Sequence, residues 1–204
     1  MFIKKNKNLK NNILTKRAFS IGEVMLSVFI LGVTMLTILT MYAKGLREFQ
    51  DERDSVIAAL LAQEGVELVR NIRDNNWANR TCSIKANCAA SFPDTFANLS
   101  SGDSNNCRVN YNDSLGAALT CGSASKNLYL SGNYYSHTAG IATKFRRTIH
   151  LDFSGSNPST SDNVVVTSFV DWDGGNMPDN KDDCGVSDKC VFSESTLRDW
   201  GTGT

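Results

Sequence analysis

Twenty consecutive residues without a charge, from Val24 to Ala43, constrain the fold of this chain more than any other feature. Their sequence is VMLSVFILGVTMLTILTMYA. About 20 apolar residues in a helix span the hydrocarbon core of a bilayer. The Ser, Thr and Gly in the run are compatible with this, because the helix itself or a neighbouring helix satisfies polar groups. No small-residue cleavage site follows Ala43, as it would after a secretory signal. Residues 24–43 are therefore predicted to form a retained transmembrane helix.

Basic residues are concentrated in front of this segment. Residues 1–18 carry six basic side chains and no acidic one. The positive-inside rule therefore places these residues in the cytoplasm and the long C-terminal part outside, as in a single-pass inner-membrane protein. The whole chain has 21 basic and 21 acidic residues, so the part after residue 18 has an excess of acid. This charge balance excludes a uniformly basic nucleic-acid binder.

Glu23 lies at the edge of the apolar segment, where a charged group costs about 2.5–3.5 kcal/mol on insertion scales. It either stays hydrated among the lipid headgroups or has a cationic partner. The string RAFSIGE at positions 17–23 strongly resembles the processing site of type IV prepilins. In that family a small residue, usually Gly, precedes a Phe, and the fifth residue of the mature chain is Glu. Ala18, Phe19 and Glu23 match these positions, and Gly32 stands where pilin helices often carry Gly.

The resemblance implies cleavage between Ala18 and Phe19 by prepilin peptidase, followed by N-methylation of Phe19. Cleavage frees an α-amine that is cationic near neutral pH, and a neighbouring subunit's amine would lie beside Glu23 in a bundle of parallel helices. Glu23 and Gly32 are therefore interpreted as assembly residues, and Glu23 is not a general acid. The implied partners are prepilin peptidase, other pilin subunits, the inner-membrane assembly machinery and, before assembly, the lipid bilayer.

The helix is predicted to continue beyond the membrane, because residues 44–74 contain no Pro and are rich in helix formers. It is expected to run over residues 19–74 and to end at Asn75-Asn76. Five positions at helical spacing are predicted to cover a sheet: Ile57, Leu61, Gly65, Leu68 and Ile72. Gly65 is expected to let a strand or a neighbouring helix approach closely. A second stripe beside them is assigned to the same packing: Phe49, Val56 and Leu60. The string LLAQEGVELVRNIRDNNW also resembles the corresponding helix of PilV-like minor pilins.

The remaining residues, 75–204, are predicted to form an extracytoplasmic globular head. Residues 98–125 are dense in Asn, Ser, Gly and Asp and are expected to be a long loop. Alternating apolar residues predict one strand at 143–153 and another at 163–172, and LYLSGNYY is a candidate for a third. Arg147 falls on the apolar face of the first strand and is expected to reach solvent at a sheet edge.

These elements predict an α+β fold, in which a long N-terminal helix packs on an antiparallel sheet with disulfide-bounded loops. The resemblance identifies this layout as type IV pilin-like. The predicted domains are a cytoplasmic leader at 1–18, the long helix at 19–74 and the head at 75–204.

All six cysteines follow the transmembrane segment, on the predicted outer side. Because extracytoplasmic space is oxidising, disulfides are expected over free thiols, although the sequence alone does not fix their pairing. The preferred pairing is local: Cys82–Cys88, Cys107–Cys121 and Cys184–Cys190. The last of these resembles the C-terminal disulfide loop of many pilins. Zinc is the alternative, but the gaps within the first and last pairs are wider than those of usual zinc ligands.

The acidic segment DWDGGNMPDNKDDCGVSDKC offers oxygen ligands that suit a calcium ion. The calcium candidates are Asp171, Asp173, Asp179, Asp182 and Asp183. Asn176 could supply a further oxygen. The spacing fails the EF-hand pattern, because Gly175 and Asn176 stand where that loop needs an oxygen ligand and a Gly. A solvated acidic turn is therefore the expectation, with no metal and no cofactor.

Common enzyme signatures are missing from the sequence. The two histidines, His137 and His150, are not spaced as HExxH, and no GxSxG, Walker A loop or GxGxxG occurs. The expected function is therefore structural: a minor pilin, or alternatively a pseudopilin of type II secretion or DNA uptake. An alternative from another class is a signal-anchored extracytoplasmic binding protein that never polymerises.

Overall fold

The computed structural model describes residues 20–83, 96, 99, 105–111, 119–122, 125–155, 158, 161–175, 177–185 and 188–199, with the backbone alone for 79–83. These residues form one long N-terminal helix and an antiparallel sheet, which confirms the α+β class. The chain divides after Glu48 into two compact units, an N-terminal unit of residues 1–48 and a C-terminal unit of residues 49–204.

Helix α1 spans Ile21–Ser83 and continues past Asp74, where the sequence predicted its end. Asn75 and Asn76 do not stop it, although Asn is a poor helix former. The amide of Asn75 donates to Asn71 Oδ1 one turn earlier, at 2.7 Å, a spacing that stabilises helices. Asn76 is buried. Local and tertiary contacts thus outweigh the intrinsic propensity.

The C-terminal unit contains a five-stranded sheet in which every neighbouring pair is antiparallel. Its spatial order is β2-β1-β3-β4-β5. The strands are β1 (Asn127–Ser131), β2 (Tyr134–Ser136), β3 (Ile141–Phe153), β4 (Asn163–Asp171) and β5 (Cys190–Arg198). β3 therefore lies at the centre of the sheet, and β5 forms one edge.

The strands agree with the sequence prediction at the centre of the sheet and differ at its edges. β3 and β4 occupy the two predicted strands almost residue for residue. The segment LYLSGNYY forms two strands, β1 and β2, joined at Gly132, whose φ of 64° suits a glycine turn. Strand β5 was not predicted. Within the expected loop at 98–125, Cys107 pairs with Ile149 and Arg108 with Thr120 as isolated bridges.

The outer half of α1 packs on one face of the sheet, but through a slightly different stripe from the predicted one. Leu61 and Gly65 are buried as expected, whereas Ile57, Leu68 and Ile72 are only half-buried. The centre of the contact is made by smaller residues, which pack against β3, β4 and β5 in two core clusters: Ala58, Ala62, Val66 and Val69. Small side chains let the helix backbone lie close to the sheet. The sequence prediction followed mainly the large apolar residues and therefore placed the packing face slightly to one side of the observed one.

Gly65 confirms the predicted close approach. A Cβ placed on it would overlap Ser168 Oγ of β4 and would lie 3.2 Å from Arg147 Cδ of β3. The second predicted stripe is different. Phe49, Val56 and Leu60 are 61–67% exposed and do not cover the sheet.

Arg147 is fully buried, and the expectation that it reaches solvent at an edge is wrong. Its guanidinium donates from Nη1 to the Leu61 carbonyl at 3.2 Å and from Nη2 to the Val109 carbonyl at 3.0 Å. The Glu64 carboxylate lies 3.4 Å from Nη1. Burial lowers the pKa of Arg147, and Glu64 opposes this by raising it. A central strand has no edge at which the side chain could reach solvent, so the helix and the 105–111 segment supply acceptors instead.

Candidate functional site

The N-terminal unit presents an apolar helical surface that nothing in the described chain covers. Among the described residues, α1 is the one helix long and apolar enough to cross a membrane. Its apolar stretch is not buried. This is the surface expected of a segment that faces lipid or other helices.

The serine and threonine hydroxyl groups of this segment are satisfied inside the helix, which is one of the two arrangements that the sequence allowed. Ser27 Oγ donates to the Val24 carbonyl at 2.9 Å, and Thr34, Thr37 and Thr40 repeat the same i−3 contact at 2.8–2.9 Å. A hydroxyl bonded to its own backbone costs little in hydrocarbon. These polar residues therefore do not weaken the case for a membrane-spanning helix.

Glu23 lies in the first turn of α1. The Ser20 carbonyl accepts hydrogen bonds from the backbone N–H groups of Glu23 and Val24, at 3.0 and 3.2 Å. An acidic side chain at this position interacts favourably with the helix dipole, and Ser20 with Glu23 has the spacing of a capping box. No cationic side chain of the described chain pairs with Glu23. Its carboxylate is exposed and accessible to a group from another molecule.

Gly32 and Gly45 are open positions on the same helix. A Cβ built at either glycine would meet nothing within 4 Å among the described residues. The fold of one chain therefore gives no steric reason for glycine at Gly32. Small residues in membrane helices commonly allow a neighbouring helix to come close.

The C-terminal unit carries a second uncovered apolar stripe on α1, made by Phe49, Val56 and Leu60. These residues are separated by seven and four positions and therefore share one face of the helix. Isolated exposed apolar residues are normal in soluble proteins, but three large ones on one helix face form a patch that favours an interface. The stripe is therefore a candidate contact surface for a packing partner.

Several predicted site residues lie outside the described part of the chain. These are the leader 1–18 with the cleavage position Ala18, the methylation position Phe19, Cys88, the side chain of Cys82, and Asn176. Their predicted roles stay predictions.

The described residues of the C-terminal unit include two disulfides. Cys107 is joined to Cys121, and Cys184 is joined to Cys190, which are two of the three pairs in the preferred local pairing. The second bond closes a short loop in front of β5. Cys184 and Cys190 pack on Phe169 and Met177 on the outer face of the sheet.

The structure divides the five calcium candidates into two groups. Asp171 is buried and accepts from Arg146, with Nε at 2.7 Å, and Asp173 lies 3.5 Å from Lys189 Nζ. The bond to Asp171 raises the pKa of Arg146. Asp179, Asp182 and Asp183 instead border a polar cavity of about 710 Å³. No three His, Cys, Asp or Glu groups of the described chain are arranged to hold a metal ion.

His150 borders the same polar cavity on the outer face of the sheet. Its ring meets Phe169 edge-on, with 5.0 Å between centroids. Lys181, in a short 3₁₀ helix at Lys181–Asp183, pairs with Glu194 and lowers the pKa of that carboxyl. Asp152 is the fourth carboxylate among the lining residues, against the one ammonium group of Lys181, so the lining is predominantly acidic.

His137 is a buried residue whose environment the sequence did not reveal. It follows β2, is 3% exposed, and donates its backbone N–H to Asn110 Oδ1 at 2.7 Å. Burial, together with the positive charges of Arg147 and Arg108, lowers the pKa of His137 to about 3. The imidazole is therefore neutral in the folded protein at physiological pH.

Comparison of the chain with models of known families, with curated proteins and with solved structures finds no match.

Proposed function

We propose that the chain is a structural subunit of a type IV pilus-like filament, a minor pilin, that is processed between Ala18 and Phe19 and incorporated through α1. The observation that carries the proposal is the RAFSIGE string placed directly before an apolar helix that the rest of the described chain leaves uncovered. A single membrane anchor explains the apolar helix. It does not explain why the whole prepilin-like string RAFSIGE precedes that helix.

Three features of the described residues support assembly through the helix. The Glu23 carboxylate is exposed, Gly32 leaves open space for a neighbouring backbone, and the stripe of Phe49, Val56 and Leu60 is uncovered. In this proposal the carboxylate pairs with the N-terminal amine of a neighbouring subunit. Such a pair is strongly position-dependent in a medium of low dielectric constant. It would set the register between subunits.

Replacement of Glu23 by Gln tests the pairing. The variant is expected to insert into the membrane at least as well as the parent, because it removes a charge from the apolar edge. It is expected to be incorporated poorly into filaments, because the neighbouring amine is left unpaired, and breaking a desolvated pair costs about 3–5 kcal/mol. The measurement is the amount of the chain in sheared filaments relative to the amount in membranes.

Glu52→Gln is the matched control, since it removes an exposed carboxylate from the same helix outside the apolar segment. Processing at Phe19 has to be checked in every sample, because an unprocessed chain presents no amine. Normal incorporation of correctly processed Glu23→Gln would contradict the pairing. A chain that keeps its leader and stays in the membrane would instead indicate an anchored binding protein.

A further inference from the structure

Strand β5 forms an edge of the sheet, and its outward backbone groups are hydrogen-bonded at the two ends of the strand but open in the middle. The bond from the Trp172 N–H to the Lys189 carbonyl, 3.2 Å long, flanks the opposed pair Asp171 and Cys190. That pair is therefore a non-hydrogen-bonded pair, and every second residue from Cys190 onward points its N–H and C=O away from β4. The residues concerned are Cys190, Phe192, Glu194, Thr196 and Arg198.

The two ends of this edge are occupied within the protein. The Cys190 N–H donates to the Gly185 carbonyl at 3.0 Å, and the Arg198 carbonyl accepts from Arg73 Nη1 at 3.2 Å. The outward backbone groups of Phe192, Glu194 and Thr196 have no hydrogen-bond partner in the described part of the chain. An unpaired row of this kind is a template for another strand, and three residues offer six hydrogen-bonding groups.

A cleft of about 810 Å³ adjoins the C-terminal end of this edge. Helix α1 contributes Arg70, Arg73 and Trp77 to it, and β5 contributes Thr196 and Arg198. Ser195, which accepts from Arg70 Nη2 at 3.2 Å, faces the helix. Thr196 and Arg198 alternate with Ser195 and point to the opposite face. Because residues of both α1 and β5 line it, the cleft lies between the helix and the C-terminal end of this edge.

The chemistry of the cleft favours an acidic and partly apolar ligand. Trp77 is 40% exposed and offers an aromatic surface. Arg70 is bonded to Glu67, and Arg73 to Asp74. Arg198 is exposed, ends strand β5 and has no acidic partner among the described residues. An arginine in this position is suited to bind a carboxylate.

We propose that the open edge of β5 and the adjoining cleft bind an extended segment of a partner protein, which adds to the sheet as a sixth strand. Its main chain bonds to Phe192, Glu194 and Thr196, an apolar side chain packs on Trp77, and a carboxylate pairs with Arg198. Strand addition derives affinity from main-chain hydrogen bonds and specificity from side-chain pockets. This site lies in the C-terminal unit and requires neither processing of the chain nor filament assembly.

The proposal is tested by selecting random nine-residue peptides, displayed on phage, against the full chain in lipid nanodiscs. Selected peptides are expected to alternate apolar and polar residues and to carry Asp or Glu near one end. One selected peptide is then synthesised in versions that each carry a single N-methyl group on the backbone. Methylation at every second residue is expected to weaken binding at least tenfold. Selection of no peptide, or a methylation pattern without this period of two, overturns the proposal.

A matched pair of variants separates the backbone from the side chain. Thr196→Pro removes one outward N–H without removing a bond to β4, because edge strands tolerate Pro at such positions. Thr196→Val keeps the N–H. We expect at least tenfold weaker peptide binding by Thr196→Pro and less than a twofold change by Thr196→Val, with hydrogen exchange of β4 unchanged in both. Equal binding by the two variants contradicts strand addition.

Arg198→Gln tests the charge. Against this variant the same selection is expected to lose its preference for acidic peptides, and a persisting preference overturns the role of Arg198. Two other occupants would also overturn the proposal. One is the chain's own segment after Asp199. It is the occupant if peptides bind a chain truncated after Asp199 but do not bind the full chain. The other is a second copy of the chain. It is the occupant if the full chain self-associates through a contact that Thr196→Pro abolishes and that peptides do not displace.

Discussion

Arg147 connects three separate parts of the C-terminal unit through one guanidinium. It extends from the central strand and reaches the carbonyls of Leu61 in α1 and Val109 in the 105–111 segment. A buried cation needs hydrogen-bond acceptors, so these two carbonyls have to stay in place while the protein is folded. The residue thus couples the position of the helix to that of the sheet.

Gly65 provides the space that this arrangement needs. We expect Gly65→Ala to destabilise the protein by about 1–3 kcal/mol, because the added methyl group overlaps Ser168 and crowds Arg147. Gly45→Ala is the matched control: its added Cβ meets nothing, so it should leave the unfolding of the C-terminal unit unchanged. The double variant Gly65→Ala/Ser168→Gly should recover part of the loss. Chemical denaturation measures all three, and equal stability of Gly65→Ala and the parent would contradict the close contact.

His137 makes stability depend on pH in a defined direction. Its pKa is about 3 in the folded protein and about 6.5 in an unfolded chain. Above pH 6.5 the imidazole is neutral in both the folded and the unfolded state, so the full stability is present there. Below that pH the unfolded chain binds a proton that the folded protein does not, and stability falls by up to about 1.4 kcal/mol per pH unit. Denaturation at pH 7 and pH 5 should show this loss.

His137→Gln should lose less stability between these two pH values than the parent does, because it cannot take up the proton. Carboxylates titrate in both proteins, so the difference between them isolates the histidine. An identical pH dependence of parent and variant would show that His137 is not buried in its neutral form.

At the scale of elements, α1 has two kinds of surface in the C-terminal unit. One face packs on the sheet through small residues, while Phe49, Val56 and Leu60 stay exposed. We expect the double variant Val56→Gln/Leu60→Gln to change the free energy of unfolding by less than about 0.5 kcal/mol, since exposed substitutions cost little. In the proposed filament it should be incorporated less well than Gln50→Ser, an exposed control on the same helix. Equal incorporation would exclude the stripe from assembly.

The sequence predicts those elements whose pattern is local. The apolar helix follows from an uninterrupted run of residues, and the two central strands follow from alternation of apolar and polar side chains. Strand β5 carries no such pattern because it is an edge strand. Its residues CVFSESTLR bury only Cys190 and Leu197, so no apolar alternation marks it.

The sequence does not predict the features that depend on distant partners. Arg147 looks like an exposed residue until Leu61, 86 positions away, supplies an acceptor. The helix end at Asn75-Asn76 is missed because burial of Asn76 is a tertiary effect. The disulfides Cys107–Cys121 and Cys184–Cys190 fit a local pairing, yet spacing alone allowed other pairings. For the proposed assembly site, the motif residues come from the sequence, and the openness around Gly32 comes from the structure.

At the scale of the whole molecule, each unit has a surface that its own fold does not use. The N-terminal unit has an apolar helix with a carboxylate near its start, and the C-terminal unit has the exposed stripe and the open edge of β5. The proposed function assigns the helical surfaces to neighbouring subunits. The edge of β5 is left for a partner segment, so the two interactions can be tested independently.

The intact mass of the chain recovered from filaments sheared from cells tests the central claim most directly. The proposed function predicts a chain that begins at N-methylated Phe19, lacks residues 1–18 and is present in the filament fraction. A chain found only in the membrane fraction, with residues 1–18 still attached in cells that have an active prepilin peptidase, would contradict it.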